Sequence, residues 1–131
     1  MTTRHASCSC GRLTVTTHGE PVRISMCHCH DCQRRTGSVF GVQARFRRSE
    51  ATVDGPSTAW IRTADSGNRI AHHFCPECGT TVYYLPDKEP ELIAVAVGAF
   101  ADASFPAPRF SVYESRRHPW VVVPGDAERF D

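Results

Sequence analysis

The sequence predicts a single, mainly β domain, and three observations carry that prediction. Short alternating or β-rich runs recur along all 131 residues. Turn signals built from Gly, Pro, Asn and Asp separate them, and helix signals are sparse. A chain of this length can bury a real core as one unit over residues 1–131.

The elements follow in order. Leu13 to Thr17 and Val22 to Met26 read as strands, separated by the turn His18-Gly-Glu-Pro21. Val39 to Phe46 continues the pattern and places Phe40, Val42, Ala44 and Phe46 on one face. Ala51 to Val53 ends in the turn Asp54-Gly-Pro56, and Ala59 to Thr63 runs into Asp65-Ser-Gly67-Asn68. Arg69 to Phe74, Thr80 to Leu85 and Glu91 to Val97 complete a set of roughly eight strands. Asp31 to Thr36 can form one or two helical turns, stopped by Gly37, and a second short turn is expected near Phe100-Ala-Asp102. Beyond Phe105, Pro106, Pro108, Pro119 and Pro124 predict an extended tail that wraps the body.

Composition excludes some function classes. A net charge of +1 gives no electrostatic footprint for nucleic acid. No apolar run reaches the length of a membrane span. The segment Met1-Thr-Thr-Arg-His-Ala lacks the apolar core of a secretory signal, and the cysteine usage suits a reducing compartment. A cytoplasmic protein acting on small molecules is therefore expected, with neither nucleic acid nor membrane as partner.

All seven cysteines fall in three clusters. They read Cys8-Ser-Cys10-Gly11, Cys27-His-Cys29-His-Asp-Cys32 and Cys75-Pro-Glu-Cys78-Gly79. An odd count at CxC and CxxC spacing argues for metal rather than for a disulfide framework. The outer pairs make a four-thiolate set that matches tetrahedral zinc, and each is followed by a glycine able to take the positive φ of a metal knuckle. A redox dithiol is the alternative, but such a motif usually opens a helix, and Cys75-x-x-Cys78 precedes a strand.

The middle cluster supplies three thiols and no fourth. The remaining ligand is then water, a substrate, or one of His28 and His30. Adjacent residues on a strand point to opposite faces, which argues against both histidines joining one ion. Spacing alone allows a closed Cys₃His site as well as an open one. An open zinc with three thiolates is electron-rich, which favours holding a substrate thiol as thiolate over activating water.

The three clusters in this order, with Gln33-Arg-Arg-Thr-Gly37 after the second, Phe74 and Thr80 around the third, and the tail motif His118-Pro-Trp120, resemble the glutathione-dependent formaldehyde-activating enzyme family. The resemblance spans nearly the whole chain. It implies an Mss4-like fold of several coiled antiparallel β-sheets with one or two short helical turns, stapled by zinc. It implies two zinc ions, a structural one on Cys8, Cys10, Cys75 and Cys78 and a catalytic one on Cys27, Cys29 and Cys32. The implied activity is that of a carbon–sulfur lyase joining glutathione and formaldehyde into S-hydroxymethylglutathione. His28 and His30 are then candidates for moving the proton, as an imidazole can do near neutral pH. Arg34 and Arg35 are the first candidates for the two glutathione carboxylates, with Arg45, Arg47, Arg48, Arg62 and Arg69 behind them. Trp60, Trp120, Tyr83 and Tyr84 are candidate pocket walls or core, and His72 and His73 read as strand residues. The competing readings are a zinc-stabilised binding module without catalysis and a thiol or metal sensor.

Overall fold

A computed structural model describes residues 1–131. It contains eleven strands and one α-helix. In chain order these are β1 (Thr3–Ser7), β2 (Thr14–His18), β3 (Arg23–Cys27), α1 (His30–Thr36), β4 (Gly41–Arg47), β5 (Ala51–Asp54), β6 (Thr58–Thr63), β7 (Arg69–Phe74), β8 (Thr81–Pro86), β9 (Leu92–Ala96), β10 (Phe110–Val112) and β11 (Glu128–Arg129). Short 3₁₀ turns lie at Arg48–Glu50, Val97–Phe100 and Glu114–Arg116. The mainly β, coiled-sheet character expected of an Mss4-like fold is what the structure shows. The second helical turn falls at Val97–Phe100, slightly before its expected place, and Ala101 closes it in a left-handed conformation.

Two sheets form. One has the order β1-β2-β5; the other is eight-stranded, in the order β11-β10-β3-β4-β9-β8-β7-β6. The main core lies between them and contains Leu13, Val15, Ile24, Phe46, Ile93 and Val95. Alternation explains this. Along β4, Ala44 and Phe46 are buried and Arg45 and Arg47 face outward.

The large sheet is strongly coiled. β6 stands five strands away from β3, a separation of about 24 Å in a flat sheet at ~4.8 Å per step. Yet Arg62 on β6 places its Nη1 2.8 Å from Oδ2 of Asp31, in the helix that follows β3. The far edge has curled back over α1, as the right-handed twist of strands allows.

Three strands lay outside the expected set. β1 carries a single buried residue, Ala6, so its sequence offers no apolar alternation to read. β10 and β11 belong to the Pro-rich tail, which does wrap the body. There β10 joins β3 and β11 by parallel pairing, a departure from an all-antiparallel arrangement. Tyr83 and Tyr84 are core residues, whereas Trp60 and Trp120 are exposed. No helix is long and apolar enough to cross a membrane.

Candidate metal centres and the cavity beside them

The ligand sulfurs of Cys8, Cys10, Cys75 and Cys78 lie within 4.8 Å of one another. Two knuckles of the same design bring them together. The Cys8 amide donates to the Leu13 carbonyl at 2.9 Å, and the Cys75 amide donates to the Thr80 carbonyl at 3.0 Å. Gly11 (φ 85°) and Gly79 (φ 78°) make the sharp bends. Leu13 N–H points at Cys8 Sγ at 3.2 Å. Thr80 ties the knuckles together: its hydroxyl accepts from Ser9 N–H at 3.2 Å and lies 3.4 Å from Cys78 Sγ. That hydroxyl is the largest of the contacts that lower the Cys78 pKa to about 5.

The fit to zinc can be tested on sulfur spacing. Tetrahedral zinc with Zn–S near 2.3 Å sets its sulfurs about 3.8 Å apart. Cys8 and Cys10 are 3.6 Å apart, as are Cys10 and Cys75. The four side chains fit that ion, across a span from β1 to β8 that no local contact would bridge.

The second cluster, Cys27, Cys29 and Cys32, is equally tight and wholly buried. Cys27 ends β3. Cys29 caps α1, its sulfur accepting from Cys32 N–H at 3.3 Å, so one helical turn sets both side chains. Gly37 ends the helix in the left-handed region, its N–H on the Gln33 carbonyl. Hydrogen bonds from the Cys27 and Cys32 thiols hold Cys29 down to about 2, and the same contact with Cys29 pushes Cys27 far up. Three such sulfurs cannot all be thiolates without a cation among them. The donor chemistry fits zinc, with three protein ligands in place.

Neither neighbouring histidine joins the sulfurs. His28 is fully buried and turned toward the tail: its Nε2 is 2.8 Å from Ser111 Oγ and 3.5 Å from Glu114 Oε2. Burial lowers its pKa, opposed by Glu114. The Ser111 hydroxyl also donates to Glu114. Gln33 completes this clasp by donating to the His28 carbonyl at 2.9 Å, with its own carbonyl oxygen 3.2 Å from His118 Nε2. His30 is exposed and lines the cavity described next.

That cavity, about 470 Å³, opens directly over Cys27, Cys29 and Cys32. Register explains its floor. β3 and β4 pair as Arg23 with Arg45, Ser25 with Gln43, and Cys27 with Gly41. Alternation puts these pairs on one face, a polar file that runs up to the first thiol. Arg23 Nε donates to Ser25 Oγ at 2.9 Å, and Gln43 Oε1 is buried without a protein partner. Arg34, Arg62 and Arg116 bring the arginines on the wall to five, against Asp31 and Asp65. Arg34, a candidate for a glutathione carboxylate, lines the cavity. Arg35 does not: its guanidinium lies 4.8 Å from the Tyr84 ring centre. Of the other arginines considered, Arg45 and Arg62 line it, while Arg47, Arg48 and Arg69 do not.

Arg23, Arg116 and Tyr113 are wall residues that sequence reasoning missed, and Tyr113 stands nearest the thiols. It packs against the three thiols and holds φ 57°, a left-handed conformation rare for a bulky residue. Burial is the first cause that raises its pKa, so its hydroxyl stays protonated. Such a backbone costs of order 1–3 kcal/mol and gathers at functional sites.

The model of the glutathione-dependent formaldehyde-activating enzyme family matches residues 3–116, a span that contains all seven cysteines and the arginine wall. The chain belongs to this family. No curated protein matches it. A crystal structure of a Rhodobacter sphaeroides protein is similar to it, with a TM-score of 0.56 and 19% identity, over 97% of this chain and 99% of that one. At that identity the likeness concerns fold alone. Both cysteine clusters stand within the formaldehyde-activating family's matched span; the tail strand β11 and the motif His118-Pro-Trp120 lie beyond it.

Proposed function

We propose that this protein adds the thiol of glutathione to formaldehyde. The observation that carries the reading is a three-thiol cluster at the inner end of a cavity walled by five arginines. Glutathione is a thiol with two carboxylates and an ammonium group, and the wall offers partners for all of them. Arg23 and Arg45 stand together at the end of the polar file and suit one carboxylate; Arg62 and Arg116 suit the other. Asp65 suits the ammonium.

Cys27, Cys29 and Cys32 would hold zinc, which when bound keeps a substrate thiol ionised at neutral pH. His30, exposed on the cavity wall, is placed to take up the thiol proton. Tyr113 donates a hydrogen bond to the aldehyde oxygen as negative charge builds there. A carbon–sulfur bond forms, the carbonyl π bond opens, and the proton ends on the new hydroxyl. Nothing is oxidised and nothing leaves. His28, sealed behind the thiols, holds the ligand loop in place through its bond to Ser111.

Exchange NMR of glutathione with formaldehyde tests the reading. The protein should raise the exchange rate above the uncatalysed condensation. Tyr113→Phe should cut that enhancement about 100-fold or more, as expected for one lost donor at a developing oxyanion. A rate equal to the uncatalysed one would overturn the proposal.

A further inference from the structure

A second cavity, of about 320 Å³, lies on the other side of Cys32 from the arginine-walled one. The two share Asp31, Cys32, Arg34 and Arg62, so the Asp31–Arg62 ion pair forms a partition beside a metal-ligating thiol. Alternation accounts for its sheet wall. Trp60 and His72 are cross-strand partners on β6 and β7, and Phe74, two residues along from His72 on the same face, pairs with Thr81 of β8. The opposing wall comes from α1.

Two features mark it as a ligand site. The Trp60 indole, 58% exposed, stands at its border, an apolar surface with no protein to cover it. His72 is buried on the wall, with neither ring nitrogen on a protein partner, and Arg62 Nε is likewise unpaired. Buried polar groups in that state are ordinarily completed by a water or a ligand. The volume sets the size of the ligand. At ~30 Å³ per water, 320 Å³ has room for about ten water molecules, far more than a one-carbon aldehyde fills.

We infer that this second cavity receives the carbonyl reactant, and that it is shaped for an aldehyde carrying an aryl or alkyl substituent. The inference rests on the thiol-addition reading above. The anionic thiol enters through the arginine-walled cavity, the aldehyde through this one, and the two meet at Cys32. The substituent lies against Trp60 and Phe74. The covalent step is unchanged: sulfur bonds to the carbonyl carbon, and the thiol proton ends on the oxygen, giving a hemithioacetal.

Two measurements test it, on the full chain. Ligand-observed NMR with 2-phenylethanol, an unreactive alcohol, reports occupancy without chemistry. Binding should be saturable, weaken about tenfold in Trp60→Ala, and stay within about twofold of wild type in Trp60→Phe, as an aromatic contact of this kind implies. Kinetics of glutathione with phenylacetaldehyde and with formaldehyde should show Trp60→Ala raising KM about tenfold for the first and leaving the second unchanged. Trp60 is exposed, so neither variant threatens the fold. Alcohol binding that is absent, or indifferent to Trp60→Ala, would overturn the inference while formaldehyde turnover kept the thiol-addition reading. Acceleration with neither aldehyde would overturn both.

Discussion

Single side chains decide what this fold can do. His72 shows how burial sets chemistry: burial first, then Arg35 and Arg62, hold its pKa down to about 4. It is therefore neutral in the folded protein at pH 7, against an ordinary value near 6.5. Because its folded pKa is depressed, the unfolded chain binds the extra proton as pH falls. Its contribution to stability is complete above about pH 6.5 and is lost as pH falls toward about 4. Thermal melts across that window should show a steeper loss for wild type than for His72→Phe, the difference isolating this ring from the acid lability of the thiols. Parallel slopes would show that His72 takes up its proton without cost. Tyr113 and the wall arginines make a related point about what a sequence can display. Arg116 and Tyr113 carry no local signature, since only the pairing of the tail strand β10 with β3, Val112 opposite Cys27, brings them to the thiols, and Arg23 is reached only by following the face of β3 back from Cys27. The cysteines do carry one, because ligand spacing is a local property.

At the scale of elements, the turns and clasps hold the site. Gly55 links β5 to the loop before β6 with φ 98°, and a Cβ there would stand 1.8 Å from the Arg12 carbonyl oxygen. The contact is backbone against backbone, so no side-chain rotation relieves it. Gly55→Ala should lower the unfolding free energy by about 2 kcal/mol or more, read from denaturant melts at unchanged m-value. The strand signals that were legible belong to strands with an apolar face, such as β4 and β8. β1 was not legible because Ala6 is its only buried residue, and β10 was hidden among prolines. Helix α1 was visible from its stop signal at Gly37. Its N-terminal cap by a cysteine sulfur was not, because that role belongs ordinarily to oxygen-bearing side chains.

For the whole molecule, the seven cysteines fall into two groups that could each hold a metal ion. The outer four join the β1–β2 turn to the β7–β8 turn, with 64 residues intervening between Cys10 and Cys75, and so tie the small sheet to the large one. The inner three run from the end of β3 into α1, and their loss leaves that tie intact. Cys78→Ser should therefore lower the melting temperature strongly, whereas Cys29→Ser should abolish glutathione turnover with a much smaller thermal effect. Equal melting temperatures for the two variants would contradict that division. Partition of the cysteines into two sites was legible from spacing. The cavity over the inner three was not, because it depends on β6 curling over α1. Thiol addition requires that the inner site keep one position for a substrate thiol. Cobalt-loaded protein measures it most directly, through the thiolate-to-metal charge-transfer absorption. Two cobalt ions per chain are expected, with a saturable rise in that absorption as glutathione is added, absent in Cys29→Ser. A spectrum of the two-cobalt protein that glutathione leaves unchanged would contradict it.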